Sequence, residues 1–324
     1  MTMLRGALVV CLMWCTAASA RALPSNASDA SQGAVVGPVL GGHLFQPLVG
    51  HPMAFVMSST RLTLGGGITS NLQLPIVRIG ERIVLAPEGS LAFIATGAEH
   101  EQRIKDWLSV YVGVDVVGRL GTDVKALLSQ GVNAVTSFDL GWKVRAYQSE
   151  RMLLTMSLDL VNGSVTTVDV DRWVRGIVDS GGVTSTNPLV DTKPTITAGV
   201  SAHCAYAVSP AIGLMATVSG VYGESAVRGG DSKIFFNAGG NINVDMRPLV
   251  GIPVATTVGI VYRQNPSVDD ASTRSDAMVA SMRIGTTVSQ HFALGVQVNA
   301  QNGEIGNGTH VLAIGGAVDM RFYY

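Results

Sequence analysis

The feature that most constrains this chain is an unbroken two-residue period in residues 138–146. Phe138, Leu140, Trp142, Val144 and Ala146 hold the even positions, and Asp139, Gly141, Lys143 and Arg145 the odd ones. A helix would mix the two sets around its circumference. An extended chain sends them to opposite faces, so the segment reads as a strand with one apolar and one polar side. After a short turn around Gln148 to Arg151 the pattern resumes, with Leu154, Met156, Leu158 and Leu160 set against Thr155, Ser157 and Asp159. The two segments form a hairpin.

Three more hairpins follow. An apolar row from Ile196 to Val208 turns at Ser209-Pro210-Ala211 into Ile212, Leu214, Ala216, Val218 and Tyr222. Pro210 suits that turn because it has no N–H to give a ladder. Next, Ile234, Phe236, Ala238, Ile242 and Val244 oppose Asn237, Asn241, Asn243 and Asp245, and a turn at Pro248-Leu249 leads to Ile252, Val254, Val258, Ile260 and Tyr262. Finally Met278, Ala280, Met282, Ile284 and Val288 turn at Ser289-Gln290-His291 into Phe292, Leu294, Val296 and Val298. The turns inside hairpins are a few residues long. The links between hairpins are longer: 161–193, 223–232, 264–276 and 301–310.

Alternation alone also describes a soluble β-sandwich, and composition separates the two. Charged residues are 14% of the 324, against roughly 25% in an average soluble domain. The polar faces consist mainly of Gly, Ser, Thr, Asn and Ala, which suits a crowded interior better than an open aqueous surface. No stretch reaches the ~18 uncharged apolar residues of a membrane-spanning helix. Segments of about 10 residues are long enough to cross a bilayer as tilted strands. Outward aromatics gather near strand ends, Tyr222 and Tyr262 at one rim and Tyr206, Phe292, Phe322 and Tyr324 at the other, while Trp142 lies mid-strand. Short turns on one side, long loops on the other and aromatic rims together describe a barrel in lipid. In hydrocarbon every backbone N–H and C=O needs a partner, and only a closed sheet supplies one for all.

The N-terminus reads as an export signal over 1–20. Arg5 provides the charge, Ala7 to Trp14 the apolar stretch, and Ala18-Ser19-Ala20 the small-residue cleavage site before Arg21. Cys11 and Cys15 admit a lipoprotein signal as the alternative, but Val10 and Trp14 precede them where a small residue is wanted. Cleavage leaves Cys204 as the only cysteine, so no disulfide within the chain is expected. Residues 21–51 read as a flexible segment ahead of a barrel over 52–324, since they are small, Gly-rich and without periodicity.

In the last segment Leu312, Ile314, Gly316, Val318, Met320, Phe322 and Tyr324 share one face, with Asp319 and Arg321 on the other, and the chain stops on an aromatic. This resembles the C-terminal strand of bacterial outer-membrane β-barrel proteins of porin-like architecture, with Tyr324 where most end in Phe. The resemblance is one of architecture, covers about 52–324, and points to no subfamily. It implies outer-membrane lipid and the barrel-assembly machinery as partners, with Phe322 and Tyr324 as the assembly signal.

The expected fold is therefore all-β, a closed antiparallel up-and-down transmembrane barrel of about 12 strands within a range of 10–14. Ten strands are placed between 108 and 324. The first two are assigned to Met53–Leu64 and to part of Ile76–Thr96, and splitting the latter at Pro87 gives the 14-strand alternative. Lumen-facing charges are Asp139, Lys143, Arg145, Asp159, Asp245, Arg247, Arg283, Asp319 and Arg321, candidates for a constriction whose mixed signs argue against strong ion selectivity. A short helix over Val168 to Val178 in the longest loop, with Trp173 and Ile177 on one face, is a candidate plug. An ordinary extracellular loop helix is the plainer alternative.

No catalytic constellation stands out. Ser201 and His203 share a face, but no nucleophile motif surrounds them. The scattered His and lone Cys offer no metal site, no cofactor motif is present, and the near-neutral charge of −1 gives no basic patch for nucleic acid. The function expected is an outer-membrane pore or transporter for small solutes. A barrel with a structural or surface-binding role is the alternative, and an embedded hydrolase is a remote third.

Overall fold

The computed structural model describes residues 37–73, 77–79, 82–85, 88–121, 132–168, 190–223, 233–266, 274–305 and 309–324. Its strands are β1 (Val39–Leu40), β2 (His43–Leu44), β3 (Ser59–Gln73), β4 (Val77–Ile79), β5 (Arg82–Leu85), β6 (Glu88–Lys105), β7 (Leu108–Gly121), β8 (Val132–Gln148), β9 (Met152–Val168), β10 (Val190–Ser209), β11 (Ile212–Gly223), β12 (Lys233–Asp245), β13 (Val254–Pro266), β14 (Arg274–Thr286), β15 (Phe292–Ile305) and β16 (Thr309–Tyr323). One helical turn, α1 (Arg247–Val250), joins β12 to β13.

Twelve of these strands, β3 and β6 to β16, close into one antiparallel barrel in which neighbours in sequence are neighbours in space and β16 pairs with β3. Two small ribbons stand apart from that ladder, β1 with β2 and β4 with β5. The closed, all-β architecture and the count of 12 are as the alternation predicts, and the 14-strand division does not occur.

The parity also holds around the barrel. Even-numbered apolar residues face out on every barrel strand, for example Leu64, Ile94, Val114, Phe138, Leu158, Val200, Val218, Ile242, Val258, Ile284, Val296 and Ile314. Odd-numbered residues face in, and those in the lower lumen are buried. A surface lined this way is unfavourable in water and favourable against acyl chains. Strands of 12–20 residues exceed the roughly 9–11 that a tilted crossing requires. At the short-turn rim Phe292 and Phe322 sit directly opposite each other with ring centroids 5.1 Å apart, and the Tyr324 hydroxyl bonds His100 Nδ1 at 2.9 Å. Trp107, exposed in the β6–β7 turn, adds an aromatic to that rim. Placing a charge mid-strand on the outer face tests the lipid assignment. Val258→Arg is expected to cost about 2–4 kcal/mol in urea titrations of the barrel refolded into vesicles, and Val258→Leu almost nothing.

The structure corrects the N-terminal part of the sequence reading. The first barrel strand begins at Ser59, not Met53, and the second spans Glu88–Lys105, later than expected. The described part of the segment expected to be flexible, residues 37–51, is packed, and it continues as packed chain to Ser58. The export signal and the loop helix carrying Trp173 and Ile177 lie outside the described residues.

Candidate functional site: an occupied lumen

Residues 37–58 run inside the barrel. The segment starts at the short-turn rim, where His43 Nδ1 lies 3.0 Å from Pro210 O and Nε2 2.8 Å from Asn243 Oδ1. It rises along the wall and reverses at Leu48–His51, where His51 N–H donates to Leu48 O (3.1 Å). Gly50 sits there at φ +82°, a conformation in which a side chain is strained, so this position of the turn suits glycine. The chain then descends to Ser58, whose hydroxyl accepts from Arg103 N–H and whose carbonyl accepts from Tyr324 N–H.

Two kinds of contact hold this plug. Phe45, Met53, Phe55 and Met57 pack with inward-facing Leu153, Ala205, Met215, Ala293 and Tyr323, so the hydrophobic core lies within the lumen. The plug's polar groups meet wall side chains from several strands. Val49 N–H donates to Gln297 Oε1 (2.7 Å) while Gln297 Nε2 donates to Val49 O (3.1 Å), a reciprocal pair like a ladder rung. Gln46 Oε1 accepts from Arg283 (2.7 Å), Phe55 O from Lys143 Nζ (3.2 Å), and Gly50 O from Arg263 (2.9 Å). Buried backbone groups without strand partners are costly unless paired, and these wall residues pair them.

The nine charges assigned to the lumen from sequence have unequal environments. Arg283 and Asp319 form a bidentate pair (2.8 and 3.0 Å), 0% and 1% exposed. The guanidinium lies over Gly285 and Gly295, where a Cβ would come within 2.2–2.3 Å of it, so these two glycines make its space. Lys143 pairs with Glu101 (3.1 Å), which also accepts from Ser109 Oγ (2.6 Å). Arg321 pairs with Glu99, which also holds Arg61 at 2.9 Å, and donates to Met53 Sδ (3.1 Å). Asp245 accepts from Thr287 Oγ1 (3.1 Å) and Arg247 N–H (2.9 Å). Asp159 accepts from Ser157 and Ser201 hydroxyls, and Asp139 faces the lumen half-buried on β8. Arg145 binds Gln148 beside the β8–β9 turn, and Arg247 is exposed in α1, donating to Thr287 O, so these two belong to the rim.

Glu99 and Glu101 lie beyond the Ile76–Thr96 region expected to hold the second strand, so the sequence assigns them no parity, whereas Arg61 lies within the expected first strand but is not among the charges assigned to the lumen. Ser201 and His203 do not pair: Ser201 donates to Asp159 (3.3 Å), and His203 meets the hydroxyls of Ser157 (3.0 Å) and Thr217 (3.2 Å).

Above the plug tip, on the long-connection side, lies a partly open cavity of about 500 Å³. Gly50, His51 and Pro52 form its floor, and inward residues of β9 to β13 its walls.

The plug carries two buried imidazoles. Burial holds His43 below its ordinary value, and burial together with the Arg263 charge lowers His51 to about 4. A released plug would return both to about 6.5. The docked form therefore binds fewer protons between the two values. Docking keeps its full strength above pH 6.5 and loses it as pH falls toward 4, with about 2 kcal/mol gone at pH 5 from His51 alone. Asp245 near His43 opposes this, without reversing the direction. Protease cleavage within 37–58 is expected to rise between pH 7 and pH 5, and the rise to shrink in His51→Gln.

No family model matches the chain, and no curated protein matches it in sequence. Among solved structures, an outer membrane channel from Pseudomonas putida F1 is similar with a TM-score of 0.53 at 7% identity, over 85% of this chain and 97% of that one. The fold is that of an outer-membrane β-barrel. The β domain of the Bordetella autotransporter Brka aligns at 9% identity with a TM-score of 0.47, covering 83% of this chain and 100% of its own. The toluene transporter TodX of P. putida aligns at 10% with a TM-score of 0.42, over 83% and 90%. At such identities the likeness is one of fold.

Proposed function

We propose that the protein is a gated pore for small solutes in the outer membrane, reached through an export signal over 1–20, and closed by residues 37–58 in the state described. The observation that carries this reading is the chemistry of the wall behind the plug. Arg283, Asp319, Lys143, Glu101 and Asn243 are buried there at some cost in desolvation. Replacing buried ion pairs by well-packed apolar side chains is often neutral or stabilising by about 1–4 kcal/mol. A permanently filled lumen therefore gains little from these groups, whereas one that admits water when the plug leaves is solvated by them. Their pairing into neutral couples supports weak selectivity between anions and cations.

A structural or surface-binding barrel is the second reading. The occupied lumen favours it, because such a protein never needs to open. Conductance across a planar bilayer, compared between the full chain and one lacking the plug, separates the two. Neither reading involves catalysis.

A further inference from the structure

We infer that the cavity above the plug tip is a binding site for a small organic carboxylate with an apolar body. Its volume of about 500 Å³ falls within the range of small-molecule sites. Three independent features of its lining point to this class of ligand, and none of them requires the plug to move.

The first is Arg263. Its guanidinium donates to Gly50 O, and it has no carboxylate partner among the described residues, in contrast to Arg61, Lys143, Arg283 and Arg321. A half-buried guanidinium at the cavity wall without a counter-ion presents a fork of donors that matches a carboxylate. The second is His51 on the cavity floor, 6% exposed, with a buried Nε2 that lacks a hydrogen-bonding partner. In the tautomer that carries its proton on Nε2, a small rotation of the ring brings this donor to an anion seated beside Arg263. The third is apolar. Val221 and Phe235 face each other across β11 and β12, and Val261 on β13, opposite Gly239, lines the same cavity, all on the inner face. Inward-facing Phe and Val contribute nothing to a purely hydrated channel, but they cover the hydrocarbon part of an amphipathic acid. A neutral ligand leaves Arg263 uncompensated, a cation is repelled by it, and an inorganic anion leaves the apolar wall bare.

The test uses the full chain refolded into nanodiscs, with hexanoate as the probe, followed by saturation-transfer NMR after subtraction of empty nanodiscs. Hexanoate is expected to bind saturably and about tenfold or more tighter than 1-hexanol, with hexylamine and inorganic phosphate weaker still. Arg263→Gln is expected to lose about tenfold for hexanoate and nothing for 1-hexanol. Val221→Trp fills the cavity while leaving Arg263 and its Gly50 contact in place, and is expected to abolish binding. That variant keeps the site testable if Arg263→Gln disturbs the plug, and heat-dependent gel mobility verifies that each barrel is folded. Equal affinity for hexanoate and 1-hexanol, phosphate competing as well as hexanoate, or hexanoate binding that survives Val221→Trp would each overturn the assignment. Because binding is read without current, failure here leaves the gating proposal standing, and the reverse also holds.

Discussion

Deleting residues 37–57 is expected to turn a silent barrel into a conducting one. In planar bilayers the full chain should stay near baseline, and the deletion should show discrete steps, with mean conductance higher by about tenfold or more. The magnitude follows from barrel size. Eight strands leave room only for side chains and sixteen to eighteen enclose an open channel, so twelve leave a space that one folded segment fills. Removing Phe45, Leu48, Met53, Phe55 and Met57 takes away the apolar contents and exposes Lys143, Arg283, Gln297 and Asn243 to water. The cut spares Ser58, whose carbonyl and hydroxyl anchor Tyr324 and Arg103 at the rim. The barrel's own ladders are independent of the plug, so heat-dependent mobility should persist. A deletion that folds and stays silent would sink the gated-pore reading and leave a structural barrel.

Asp319→Leu is expected to be the most damaging single change in the wall, costing about 3–5 kcal/mol in urea unfolding from vesicles. It strips Arg283 of both carboxylate bonds while the guanidinium stays enclosed between Gly285, Gly295 and Gln46. The double variant Arg283→Leu/Asp319→Leu should recover most of that loss, because no uncompensated charge remains. A double variant no better than the single one would show that the pair contributes net stability by itself. Gly295→Ala should act through the same pair, since its new Cβ would meet the guanidinium carbon at 2.3 Å.

Much of the barrel was legible in the sequence, and for a physical reason. Lipid on one side and a polar interior on the other force alternate residues apart, and tight turns keep consecutive strands antiparallel. The rows from Phe138 to Tyr324 carry that signal almost undisturbed. It fades in β6, where the outward row passes from Ile94 through Thr96 and Ala98 to His100 and Gln102 at the rim, and Glu99, Glu101 and Arg103 crowd the opposite side. The plug left no periodic signal at all. His43 to Leu48 are buried on every side, so no face is left polar, and a segment enclosed all round has no period to read. Its partners are remote in sequence, Arg283 for Gln46 and Gln297 for Val49, and no local pattern announces them. Parity gives the inward charges of the later strands, but the partners of Lys143 and Arg321 are Glu101 and Glu99, which lie beyond the region expected to hold the second strand.

The anchors of the plug also fix an order of events. Met53 meets Arg321 268 residues further along the chain, and the seam that joins β16 to β3 must form before that seat exists. Contacts of such long range form late, because the chain loses its loop entropy before it gains them. The stretch made early in synthesis is thus the last to find its place. Until it does, Phe45, Leu48 and Phe55 have no cover, and keeping them from straying is part of the work of assembly.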